Sequence, residues 1–195
     1  MTTKKTSRRK FIFSASALAI GSAAFGLNIP SETKKKRSKE EVYKQLDELV
    51  DKYLPVFGAC SQTSFYALNK TFNLKADIIV KALASFPGIA MRGETCGAVS
   101  ESLMGIALVY EADKYDEKGT KKLSLGPSET FCSEFENEFG TTRCRDVIKH
   151  NTGKEYVLTK KADYQAVSLD GGFKHCSGVI KKAVHYAADI IMEKS

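Results

Sequence analysis

From Lys39 onward, apolar residues recur three or four positions apart in segment after segment, and no stretch alternates long enough to build a sheet. That spacing is the period of an amphipathic helix, so the folded part is all-α: a compact bundle of six or seven short helices after an N-terminal signal segment. "SKEEVYKQLDELVDKYL" opens with Ser38 and carries Glu41 three residues on, a capping box, with Val42, Leu46, Leu49 and Tyr53 behind it. Pro55 is expected to end this helix. Phe65, Leu68 and Phe72 mark a second helix, and "ADIIVKALASF" a third that stops at Pro87-Gly88. "CGAVSESLMGIALVYEAD" is a fourth, with Ala98, Leu103, Ile106, Ala107 and Tyr110 as core. Gly97 and Gly105 weaken a helix, so their use is read as close approach of another backbone.

Lys114 to Lys122 reads as a polar loop. Phe131, Phe135 and Phe139 then line a fifth helix stopped by Gly140. "TTRCRDVIKH" is a short sixth, and residues 151–173 read as a long loop with one short extended or helical piece. The last helix begins at Cys176 and shows Val179, Ala183, Ala187 and Ile190/Ile191 on one face.

The N-terminus has another character. A basic stretch (Lys4, Lys5, Arg8, Arg9, Lys10) precedes a small-residue apolar run from Phe11 to Phe25, the layout of an export signal. "SRRKFIF" resembles a twin-arginine signal, with Ser7, the Arg8–Arg9 pair and Phe11 in place. Residues 1–26 are therefore read as that signal, 27–38 as a charged linker and 39–195 as the helical domain. The implied partner is the twin-arginine export machinery and the implied location is periplasmic or otherwise extracytoplasmic. Membrane contact is expected only through the signal segment, if it is not cleaved after Ser22 and Ala24. The twin-arginine route carries folded proteins, so a cofactor acquired in the cytoplasm can be exported in place.

Charge excludes one class of partner. The formal net charge is +7, but residues 1–37 hold nine Lys/Arg against the single acid Glu32. The rest has 21 basic and 22 acidic residues, so no cationic groove for nucleic acid is expected on the folded part.

Five cysteines, at positions 60, 96, 132, 144 and 176, carry the chemistry. No pair is two residues apart, which excludes haem attachment, a thioredoxin-like pair and zinc-finger spacing. Any shared site must be assembled by the fold. Cys60, Cys96, Cys144 and Cys176 each sit at or near a predicted helix start, where free N–H groups and the helix dipole favour a thiolate. Four such thiols suit an iron–sulfur cluster or a closed zinc site; equally they suit two disulfides or a redox-cycling pair. Cys132, inside the phenylalanine helix, is read as a buried structural thiol. His150, His175 and His185 are weaker ligand candidates, with His175 beside Cys176 the best of them. Arg92, Arg143 and Arg145 lie near Cys96 and Cys144 and are candidates for lowering thiol pKa values or steering an anionic partner. No G-x-S-x-G and no phosphate-loop pattern occurs.

Four blocks, "ACSQTSFYAL", "GIAMRGETCGAVSESLMGIAL", "FENEFGTTRCRDVI" and "HCSGVIKKAVHYAADII", resemble the redox-active family named for its C_GCAxxG_C_C cysteine arrangement. The resemblance spans about residues 43–193. It implies an all-helical domain whose shared cysteines are Cys60, Cys96, Cys144 and Cys176, with Cys132 outside the set. Similar domains accompany haem in split-Soret-type cytochromes, where an iron–sulfur site is suspected; this chain lacks the haem motif. It departs from the family at Glu101, where the motif has Gly. A Glu there widens the helix contact or points elsewhere, and its charge disfavours a neighbouring thiolate. The expected function is an exported redox protein whose four cysteines form a joint iron–sulfur site for electron transfer with a redox partner protein. The alternatives are thiol–disulfide exchange or a disulfide-stapled or zinc-stabilised helical binding module.

Overall fold

The computed structural model describes residues 37–110 and 117–194, without the side chains of Gly172 and Phe173. The signal segment 1–26 and the linker up to residue 36 lie outside the described residues. Regular structure among the described residues is helical, with one isolated bridge between Thr95 and Arg143, so the all-α reading holds. The elements are α1 (Lys39–Phe57), α2 (Cys60–Phe72), α3 (Asp77–Ala82) running into a 3-10 turn (Leu83–Ser85), and α4 (Gly88–Met91). They continue with α5 (Gly97–Tyr110), α6 (Glu117–Ser124), α7 (Pro127–Phe139), α8 (Cys144–Thr152), α9 (Lys161–Leu169) and α10 (Gly172–Lys194).

Helices α1, α2, α5 and α10 pack against one another as a four-helix core, with α7 and α8 laid against α10. The heptad-like faces meet inside: Val42, Leu46 and Val50 from α1, Leu68 from α2, Ile106 from α5, Phe131 and Phe135 from α7, and Val184, Ala188 and Ile191 from α10 are all buried. Helix α1 begins as its sequence dictates. The Ser38 hydroxyl accepts from the Glu41 N–H (3.1 Å), and the Glu41 carboxylate accepts from the Ser38 N–H (2.8 Å). Along the α1–α10 seam, Lys39 and Tyr43 meet Asp189, Asp47 meets His185, and Asp51 meets Lys181, each at 2.7–2.8 Å. Each step of four along α1 answers a step of four back along α10, which fixes the antiparallel register. His185, also stacked on Tyr43 at 3.8 Å, is thus a packing residue of this seam rather than a metal ligand.

Several boundaries differ from the expectations. Helix α1 runs through Pro55 to Phe57 and stops at Gly58, whose φ of 62° is left-handed. Proline removes the hydrogen bond its missing N–H would give and crowds the carbonyl one turn back, and with only two residues left before the C-terminus the helix carries that cost to its end. The segment read as a polar loop is helical from Glu117 to Ser124, supported by the Glu117–Lys121 pair at 2.6 Å one turn apart. Within residues 151–173 the regular piece is α9. Helix α10 starts at Gly172, four residues before Cys176, because the Lys174 and His175 N–H groups already bond the Gly171 carbonyl.

Candidate four-cysteine site

Three of the four site cysteines are delivered by helix starts. Cys60 and Cys144 are the first residues of α2 and α8, and Cys96 immediately precedes α5, its carbonyl accepting from the Val99 and Ser100 N–H groups at 2.9 and 3.1 Å. Cys176 lies in the second turn of α10. The positive ends of α2, α5 and α8 therefore meet at these thiols.

Backbone pairing sets the spacing. The Cys96 N–H donates to the Thr142 carbonyl (2.9 Å), the Cys144 N–H to the Glu94 carbonyl (2.6 Å) and the Arg145 N–H to the Gly93 carbonyl (3.1 Å). This short antiparallel seam stitches the segment before α5 to the segment before α8. The Arg145 guanidinium reinforces it with Glu94 (2.6 Å). Arg143 also faces Glu94, at 3.6 Å, while Arg92 is exposed. Of the three arginines, Arg145 is the one whose charge acts on Cys144.

Glycines let the helices close on the sulfurs. A Cβ at Gly97 would lie 2.8 Å from the Cys60 sulfur and 2.9 Å from the Ser61 nitrogen. That is the close backbone approach expected of this glycine. At Gly105 the near neighbour is instead the Leu68 side chain, 2.8 Å away. At Gly88 a Cβ would stand 3.0 Å from the Cys144 sulfur. Gly88 opens α4, in which Gly88, Ile89, Ala90 and Met91 all have φ between 49° and 62°. It is a left-handed turn, held against the site although each non-glycine residue in that region costs about 1–2 kcal/mol.

The result is one small cavity of about 20 Å³, room for about one water, lined by Cys60, Cys96, Cys144 and Cys176 together with Asn151 and His175. The four expected cysteines are thus brought together. Cys132 is not among them; it sits half-buried in α7 against the core. His175 is exposed and borders the cavity, whereas His150 is exposed and edge-on to Phe139. Asn151 and Gly88 were not anticipated as site residues. Asn151 fell in a stretch without periodicity, and Gly88 looked like an ordinary helix stop.

The five cysteines are unpaired. The Cys60 thiol shares a hydrogen bond with the Cys96 sulfur, and that bond, with burial, holds its pKa well above the ordinary thiol range despite the Gly97 N–H donating to it. Burial pushes Cys144 and Cys176 up to about 12; the Cys60 charge adds to both, and Arg145 only partly opposes the shift at Cys144. As they stand, these are protonated thiols. A bound cation inverts that balance, because a coordinating thiol is deprotonated outright.

Among the described residues, no three His, Cys, Asp or Glu side chains are placed to hold a metal ion. Four cysteine thiols are by type the donor set of a closed zinc site. An iron–sulfur cluster matches the donor set, four cysteine thiols, and distributes them over more than one iron.

No curated protein and no solved structure matches the chain. Residues 58–190 match the family model described as "Putative redox-active protein (C_GCAxxG_C_C)". That span takes in Cys60, Cys96, Cys144 and Cys176 and most of the 195-residue chain. The cysteine spacing, the helical fold around it and this match agree: the chain belongs to the C_GCAxxG_C_C redox-active family.

Proposed function

We propose that this redox-family protein transfers electrons through an iron–sulfur cluster held by Cys60, Cys96, Cys144 and Cys176. The observation that carries the reading is the convergence of these four thiols, from four separate helices or helix starts, on one buried cavity, with Cys132 left out. Burial supports it further. An exchange centre needs an accessible thiol of low pKa, whereas Cys60 is raised by its bond to Cys96 and by burial, and Cys144 and Cys176 by burial and by the Cys60 charge. The cluster would supply one-electron chemistry. The chain would supply thiolate ligands, three helix N-termini to offset their charge, and a largely apolar wall to set the potential.

Export fits the same reading. The twin-arginine-like start would carry the folded, loaded protein across the cytoplasmic membrane to an extracytoplasmic redox partner. No helix among the described residues is long and apolar enough to cross a membrane. Replacing Arg8 and Arg9 by Lys should keep the protein in the cytoplasmic fraction; unchanged fractionation would remove the export assignment.

A second reading rests on the Cys60–Cys96 hydrogen bond. Those two thiols are within hydrogen-bond reach, and joining them as a disulfide would release two protons and give two electrons to a disulfide or quinone acceptor. Iron, sulfide and visible absorbance, measured on full-length protein purified without oxygen, decide between the two. Iron with sulfide and an absorbance lost in Cys96→Ser but kept in Cys132→Ser supports the cluster. Colourless protein that loses two thiols on oxidation supports the disulfide.

A further inference from the structure

Glu101 is fully buried on α5, one turn beyond Gly97 and one turn before Gly105. These glycines touch Cys60 and Leu68 of α2, so Glu101 lies on the same α2-facing stripe, between the sulfur contact and the core. One carboxyl oxygen, Oε2, accepts from the Ser100 hydroxyl at 2.7 Å. The other, Oε1, is buried without a partner. The hydroxyls in the first turn and a half of the facing helix are committed elsewhere. Ser61 donates to the Leu83 carbonyl, Thr63 to the Ala59 carbonyl and Ser64 to the Cys60 carbonyl, each at 2.8 Å. Of the elements packed on α5, α2 contributes Cys60, which feels the Glu101 charge, while α7 and α10 present no ionisable group that shifts it. No cation pairs with it among the described residues.

A carboxylate with an unsatisfied buried oxygen is unstable; a carboxylic acid needs fewer hydrogen-bond donors around it and carries no charge. Burial accordingly raises the Glu101 pKa to about 7. A nearby change of one charge then moves a proton on or off it. We propose that Glu101 is the proton-holding residue of the four-cysteine site, coupling each electron taken up there to one proton. With a cluster held by the four cysteines, the site would accept one electron from a low-potential one-electron donor while Glu101 Oε1 takes one proton from solvent; on reoxidation the electron would pass to a one-electron acceptor of higher potential and the proton would return to solvent. Glu101 bonds Ser100 rather than a thiol, so it acts on the cysteines through charge, not as a ligand. The inference rests on the electron-transfer reading of the site.

The test is a reduced-minus-oxidised infrared difference spectrum of full-length protein, with iron and sulfide assayed on the same sample. Wild type should gain a carboxylic acid C=O band on reduction, and Glu101→Gln and Glu101→Gly should lack it. The midpoint potential should fall with rising pH through neutrality by up to about 59 mV per tenfold drop in proton concentration, and both variants should flatten that slope. Absence of the band in wild type, or its survival in folded Glu101→Gln, overturns the proposal. Iron without the band defeats the Glu101 role alone. The band without iron defeats the cluster and keeps Glu101. Neither defeats both.

Discussion

Single atoms decide whether the thiols meet, and Gly97 shows it most directly. Its absent Cβ is the space occupied by the Cys60 sulfur and the Ser61 backbone. Gly97→Ala should destabilise the protein by about 1–3 kcal/mol, as overpacking against backbone does, and should also displace Cys60 and weaken cluster loading. Gly105→Ala meets a Leu68 methyl that can rotate away. It should cost less and leave the visible absorbance intact. Urea titration and iron content on both variants check this; equal losses of iron would contradict it. The sequence alone pointed to both glycines as close-approach positions, because glycine inside an apolar helix needs a reason. It did not say which faces sulfur and which faces leucine, since that depends on the register of α5 against α2. Glu101 was harder still. Its type marked a departure, but a charged residue on a helix gives no sign of burial until the neighbouring helix is in place.

Among the elements, the long helices follow from capping and period, and the site is positioned by the pieces that do not. Ser38 with Glu41, the phenylalanine ladder of α7 and the Gly140 stop are local signals, and the folded chain uses them as written. The left-handed turn α4 has no such signal beyond Gly88, because Ile89, Ala90 and Met91 take positive φ although none of them is a glycine. Ala90, at φ 54° and ψ 40°, is the residue to relieve. Ala90→Gly removes about 1–2 kcal/mol of left-handed strain and returns about 0.4–1 kcal/mol through the freer unfolded chain. A net gain of about 0.5–1 kcal/mol is expected, while Ala90→Val should lose stability. A shift in urea midpoint at constant slope measures both changes. A less stable Ala90→Gly would mean that the turn is not strained. The same logic explains why the loop between Gly93 and Cys96 was not readable: its partner is the Thr142–Arg145 segment, nearly 50 residues away in sequence.

At the scale of the whole molecule, buried acids and thiols make stability depend on pH in one direction over most of the range. An unfolded Glu titrates near 4.3, whereas folded Glu101 titrates at about 7. Between those values the folded state holds more protons, so stability falls as pH rises and levels off once both states are ionised. The loss is about 4 kcal/mol, at about 1.4 kcal/mol per unit of pKa difference. A second fall begins near pH 9, where unfolded thiols ionise but Cys144 and Cys176, raised to about 12, remain protonated. Each can remove up to about 1.4 kcal/mol per pH unit there, and Cys60, shifted the same way, adds to the slope. Metal-free protein should therefore be most stable near pH 5, weaker at neutrality and steeply weaker above pH 9. Glu101→Gln should flatten the first fall and leave the second. Loading the cluster should abolish the second, because ligated thiolates no longer have protons to lose. Urea midpoints from pH 5 to 10 on the metal-free and loaded forms test this. Parallel curves for wild type and Glu101→Gln between pH 5 and 7 would show that Glu101 is ionised in the fold, and an alkaline fall unchanged by loading would show that these cysteines do not bind the metal.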